Sequence, residues 1–415
     1  VSVHRRSFQN EPLNSTIIAD IHDARGRRLE KTLNAPARFT FTVDGRSDTA
    51  KLVREMQTDI VAWRWDEAGG GDWPVFRGVV AQGEDQLTEQ SHTVTFTCHD
   101  YLGMVARRYL TSAVNYTQFD QDRIVVDLLA RAVNLQAANG TIFYPASFLP
   151  LGIARVNSDG SDRPALSTQL RDRNYTAQSN VGQLIDDLAK CAPLVGTSSA
   201  PTSFDYDVLP SGNINGPNLD QWDNLRLFYP AQGVTNPLVL EYGSTVSTVT
   251  RSANSADYAN YVRIVGNAPD ATSPPYFSER WNADALSGIV GAVGLWQNSD
   301  NAPDVSIQST LDQKAQGDLN TSGVLVPSYS LGLRPGTYHH GLFRMGDTVS
   351  LVIQSGRLNV FTDATGGGGV RVVGISYDIG DDGDENVVLT AGRPPTTLAD
   401  LLRAGTADID ALSRR

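Results

Sequence analysis

DIVAWRW (59–65), a glycine run (69–71), VFRGVVAQ (75–82), the acidic pair Glu84-Asp85 and HTVTFT (92–97) form the stretch that decides the fold. Its apolar residues alternate, so it reads as strand, turn, strand, turn, strand with one face on a core. A similar stretch returns as DTVSLVI (347–353), a glycine run (366–369), VRVVGISYDI (370–379), an acidic turn (Asp381, Asp382, Asp384, Glu385) and NVVLT (386–390). Gly78 and Gly374 are expected at matching points of the two middle strands, where glycine suits a bulge or a sharp bend in a closing sheet. Three antiparallel strands cannot bury an inner face alone, so each copy is expected to belong to a small barrel or sandwich, with a barrel favoured. The predicted class is α+β and predominantly β, with two such antiparallel barrels, an intervening α+β domain and an insertion.

With 415 residues the chain exceeds one hydrophobic core. Its 40% hydrophobic and 19% charged residues fit an ordered globular protein. A net charge of −12 argues against a nucleic-acid-binding surface, and no Lys/Arg cluster with interleaved aromatics occurs. There is neither a charged-then-apolar leader nor an apolar run long enough for a membrane helix. Cys98 and Cys191 are expected as free thiols, not a framework disulfide.

Outward from the first copy, Phe39, Phe41 and Val43 alternate with Thr40 and Thr42 in a half-buried strand. It completes a first barrel over 1–110, with Ser47–Glu55 as a short polar helical turn or loop and a closing helix after Asp100 that runs to Arg108. From Asp122, placed to cap it, a helical stripe runs through Ile124, Val125, Leu128, Leu129, Ala132 and Val133. A second amphipathic helix spans Asn180–Lys190, and residues 111–235 read as a small α+β domain. Strands PLVLEYG (237–243) and YVRIVG (261–266) open a second barrel over 236–266 and 323–395. The polar segment 267–322, with a helix over 306–319, is read as an insertion in it, and 396–415 as an amphipathic tail.

Catalytic patterns are sparse. No G-x-S-x-G, P-loop, dinucleotide fingerprint or H-E-x-x-H is found. Cys98-His99-Asp100 juxtaposes three reactive side chains, but strand neighbours face opposite ways and cannot share one metal or relay. His339-His340 reads as a solvated loop, and Asp378–Glu385 as an acidic hairpin turn. The latter keeps Asp378, Asp382 and Gly383 of a calcium-loop spacing, but has Gly380 and Leu389 where ligands belong. Asp66-Glu67 and Asp186-Asp187 are carboxylate neighbours without implied geometry, and Trp281 and Trp296 are the aromatics best placed to meet a sugar. No catalytic, cofactor or metal residue is predicted.

The order FRGVV (76–80), HTVTFTCHDYLGMVARR (92–108), ANYVRIVG (259–266), MGDTVSLVI (345–353), VRVVGISYDI (370–379) and VVLTAGRP (387–394) resembles the tail-tip hub proteins of long-tailed bacteriophages. That family is similar to the baseplate hub of contractile-tailed phages. The resemblance is best over 36–110 and 236–395. It implies a virion protein made in the host cytoplasm, with no enzymatic activity in the hub body and no cofactor. It further implies a homotrimer of two tube-like barrels per chain, stacked on tail-tube or distal tail ring proteins and joined to other tail-tip proteins, whose lumen passes DNA without binding it. A distal tail adaptor ring, built on one barrel per chain, is the alternative within virion proteins. A carbohydrate-binding or wall-degrading tip protein is the alternative from another class.

Overall fold

In the strand Arg38–Asp44, Phe39, Phe41 and Val43 are buried and the residues between them are half-buried. The strand pairs antiparallel with His92–His99, setting Phe41 opposite Phe96 and Val43 opposite Val94. The rings of Phe76, Phe39, Phe41 and Phe96 follow one another in that order at centroid distances of 5.5 or 5.6 Å, which fixes the aromatic centre of the core. This geometry comes from a computed structural model that describes residues 2–5, 17–66, 71–133, 135–136, 142–144, 151–190, 204–210, 223–253, 255, 258–268, 272–283, 294–303, 305, 307–323, 327–337, 342–365, 368–381 and 384–392. The protein is predominantly β, with antiparallel sheets.

Around that core the hydrogen-bonded order is Arg25–Thr32, Arg38–Asp44, His92–His99, Gly71–Leu87, Thr58–Asp66. The later copy has the order Val246–Ser252, Ser328–Leu333, Glu385–Ala391, Val370–Ile379, Thr348–Ser355. Strand for strand, the connectivity is the same. The registers agree as well. A bulge at Ala81 separates the pairs Val80–Cys98 and Gln82–Thr97, and a bulge at Val373 separates Val372–Ala391 and Gly374–Thr390. Beyond it Gly83 faces Phe96 as Ile375 faces Leu389, and Asp85 faces Val94 as Tyr377 faces Val387.

This register corrects the matching of the glycines. Gly374 takes the place of Gln82, whereas Gly78 faces Ile60 at the place where Val370 faces Val349. The two glycines also do different work. A Cβ on Gly78 would lie 2.2 Å from the carbonyl oxygen of His99, so the chains touch there only without a side chain. A Cβ on Gly374 would meet the Thr390 side chain at 3.1 Å. The first acidic turn is a second correction. Glu84 and Asp85 lie on the strand, which runs to Leu87, and the reversal is at Thr88–Ser91, closed by Thr88 and Ser91 hydrogen bonds. The strand continues through Glu84 and Asp85 because that end of it is exposed and tolerates charge.

The two copies are joined, not separate. Arg25–Thr32 pairs antiparallel with Val370–Ile379, which places both copies in one 14-stranded sheet and one hydrophobic cluster. The pairing path stays open, from Val246–Ser252 at one end to Ile17–Asp20 at the other. A second cluster joins the helices Tyr101–Val105, Gln121–Val133 and Val181–Ala189 to strands Leu151–Val156, Asp205–Leu209 and Asp223–Phe228. The helix Gln121–Val133 is entered through Asp120, whose carboxylate accepts the Asp122 N–H; Asp122, expected as the cap, is buried on Arg163 at 3.0 Å. A third cluster lies between the helix Gln308–Ser322 and a three-stranded sheet. Tyr261–Val265, expected in the second barrel, is the central strand of that sheet, between Phe277–Trp281 and Gln297–Asn301. Its buried Val262 and Ile264 need the helix face that only this segment provides.

Candidate assembly seam

The feature that the sequence pattern builds twice is the edge of the repeat, and within the chain one such edge is already occupied. Across it Leu29 faces Tyr377, Lys31 faces Ile375 and Arg27 faces Ile379. Polar groups flank this strip. Arg64 gives both terminal N–H groups to the Glu385 carboxylate, the Nη2–Oε2 distance being 2.7 Å, and its guanidinium carbon lies 5.9 Å over the Tyr377 ring. Arg27 donates to the Gly380 carbonyl at 3.1 Å, and Arg28 lies 3.6 Å from Asp378. Between the strands and the Arg64–Glu385 pair remains a cavity of about 260 Å³, bordered by Lys31, Phe39, Trp63 and Tyr377. Burial lowers the Lys31 pKa, while Asp207 and Asp100 act to raise it.

The α+β segment holds both repeats through one carboxylate. Asp205 accepts from Asn34 Nδ2 at 2.9 Å, from the Gln232 N–H at 2.7 Å and from Arg371. Asn34, at φ 58° in the turn after Arg25–Thr32, returns a bond by accepting the Tyr206 N–H at 2.8 Å. Arg371 stands at the start of the second repeat's central strand. One buried acid thereby ties the ends of the seam to a third element.

The residues singled out for chemistry are not brought together. Cys98 is fully buried in the shared core, and burial pushes its thiol above the ordinary range. His99 lies on the other face, its pKa lowered by burial and by Arg38 and Arg107. Asp100 caps Tyr101–Val105 by accepting the Gly103 N–H, and takes the Ala37 N–H at 2.8 Å. Burial raises its pKa to about 7, against the pull of those bonds. Asp186 is buried on Lys190 at 2.7 Å, and burial raises its pKa; Asp187 instead accepts from Gln183. In the acidic hairpin, Asp378 turns to Arg28, Asp381 accepts from the Gly26 N–H and Glu385 binds Arg64, so these three carboxylates diverge. Trp281 is half-exposed opposite Tyr261, and Trp296 lies edge-on to Tyr258 at 6.4 Å. His339, His340, Asp382, Glu67, Cys191 and the tail 396–415 lie outside the described residues, as does the side chain of Asp66. Among the described residues no cluster of three or more His, Cys, Asp or Glu is placed to hold a metal, and no helix is long and apolar enough to cross a membrane.

No family model and no curated protein matches the sequence. Solved structures do match over nearly the whole chain. Prophage tail protein gp18 from Listeria monocytogenes aligns with a TM-score of 0.52 at 12% identity, covering 97% of this chain and 98% of that one. The tail protein from Neisseria meningitidis gives 0.54 at 9% identity, with 94% and 96% covered. This chain has the fold of phage tail proteins. The 43 kDa tail protein of prophage MuSo2 from Shewanella oneidensis shares the same tail-protein fold at 0.52 and 11% identity, with 95% and 98% covered. Because the tail-protein fold is shared end to end, the doubled sheet, the α+β segment and the helix-backed sheet belong to one architecture.

The strand missed in the sequence is Val246–Ser252, which begins the second repeat. Most of its residues are exposed, so it lacks the alternation that marks a half-buried strand. The pairing partner of Arg25–Thr32 was equally hidden, since nothing in a strand's own sequence states which distant edge it meets.

Proposed function

We propose that this chain is a structural virion protein, a hub at the tip of a phage tail that assembles as a homotrimer. The observation that carries the reading is the doubled strand order with its matched bulges at Ala81 and Val373. A chain with two like units can offer six near-equivalent units from three copies, which suits stacking on a six-fold tube. Each repeat then acts as one tube-like barrel unit. The likeness to phage tail proteins supports a place in the tail. The net charge of −12 suits a lumen through which a polyanion slides without binding. A distal adaptor ring with one unit per chain is disfavoured by the internal duplication.

In this reading the chain does no chemistry: Cys98, His99 and Asp100 serve the core and a helix cap. The test is to locate the chain in purified particles by antibody labelling and reconstruction, and to assay the purified chain against cell-wall material. Density at the tail tip with no clearing of the wall supports the proposal. A chain absent from particles, or wall degradation lost on His99→Ala in a folded variant, contradicts it.

A further inference from the structure

The two repeats are equivalent, yet their first strands are not equally used. Arg25–Thr32 pairs on both sides, with its own repeat and with the central strand of the other. Val246–Ser252, which holds the same place in the second repeat, pairs with Ser328–Leu333 and ends the sheet; among the described residues its outer edge has no strand partner. The complementary edge is also open among the described residues. In the second repeat, Gly374–Ile379 receives the seam strand. In the first repeat the equivalent stretch, Gln82–Leu87, pairs only with His92–His99 among the described strands. Glu84 to Leu87 are all exposed there, with Leu87 73% accessible. Two open edges of this kind are what a strand-addition contact uses.

The internal seam sets the register. Leu29 faces Phe39 in its own repeat and Tyr377 across the seam. Arg251 faces Tyr329, which holds the place of Phe39, and Asp85 holds the place of Tyr377. We propose that Val249–Ser252 of one copy pairs antiparallel with Glu84–Leu87 of a second copy, with Arg251 opposite Asp85. In that register Val249 covers Leu87, Thr250 meets Gln86 and Ser252 meets Glu84. Where the internal seam has the apolar pair Leu29–Tyr377, the contact between copies has opposite charges. Asp85 is 64% exposed and keeps one carboxylate oxygen free of its 2.8 Å contact to His92. Each copy carries one donor edge and one acceptor edge, so the contact is head-to-tail, the kind that closes into a ring when its rotation divides a full turn. The partner is a second copy because the first copy already makes this contact with itself once. This inference rests on the proposed hub reading and gives that ring its interface.

The test uses the full chain. Arg251→Asp and Asp85→Arg are made singly and together, checked for folding by circular dichroism, and measured by light scattering after gel filtration. Arg251→Cys with Asp85→Cys is made in parallel and run on a non-reducing gel. The expected result is loss of the oligomer in each single variant, its return in the double variant, and covalent multimers only when both cysteines are present. An oligomer that ignores both swaps and yields no covalent multimers discards this interface and leaves the hub reading standing. A chain that is monomeric at every concentration and yields no covalent multimers discards both.

Discussion

Leu29 and Tyr377 stand directly opposite each other although nearly the whole sheet separates them in sequence, and both are buried. That pair is the join between two copies of one five-strand unit. Because the join is a continuous antiparallel pairing over a common core, the two copies should behave as one cooperative body.

Phe41 and Leu331 occupy equivalent places, facing Phe96 and Leu389, and both are fully buried. Phe41→Ala is expected to cost about 3–5 kcal/mol and Leu331→Ala about 2–5 kcal/mol. Each should lower the midpoint of the same transition in denaturant titrations followed by tryptophan fluorescence. Two separable transitions, each answering to one variant, would show that the copies fold independently.

Gly78 and Gly374 should respond unequally to alanine. Gly78→Ala drives a Cβ into the His99 carbonyl and should cost about 1–3 kcal/mol or more. Gly374→Ala asks only a small shift of Thr390 and should stay within about 1 kcal/mol of the wild type. Equal losses in thermal unfolding would restore the equivalence that the register denies.

Asp205 anchors the seam to the α+β segment. Its side chain is 8% exposed, and its removal leaves the Gln232 N–H without its acceptor and Arg371 with backbone carbonyls but no carboxylate. Asp205→Ala is expected to cost about 2–4 kcal/mol, the lower range for such pairs because Arg371 retains some solvent. Unfolding free energies for Asp205→Ala, Arg371→Ala and the double variant should show strong coupling. Additive losses would mean that the two groups act separately.

Asp318 supplies a pH dependence. Burial raises its pKa from 3.8 to about 6, with Lys314 acting in the opposite direction. Between those values the folded chain holds a proton that the unfolded chain has lost, so stability declines as pH rises through the interval. Asp318→Asn keeps the neutral form and should remove that part of the slope. Urea midpoints of wild type and variant, compared at about pH 4 and about pH 8, should show the variant gaining relative stability at the higher pH. A constant difference between the two chains would contradict the assignment.

How much was legible follows from what each residue faces. The strand Arg38–Asp44 declares itself because Phe39, Phe41 and Val43 meet a core and the threonines do not. The duplication was visible for the same reason, and its shared strand order is found in the structure. The equivalence of Gly78 and Gly374 failed because a period-two apolar pattern matches itself at any even offset, and the pairing sets Gly374 on Gln82, four places beyond Gly78. Glu84 and Asp85 imitated a turn since an open strand end carries the same residue types as a loop. Val246–Ser252 was overlooked because it is exposed, and exposure is also what makes it an edge available to another chain.

The central claim is tested most directly by counting copies in the assembled tail tip, by reconstruction without imposed symmetry. Three chains are expected, their six repeats in one ring with first and second repeats alternating around it. Six chains in the ring, or three chains with only one repeat of each facing the tube, would contradict it.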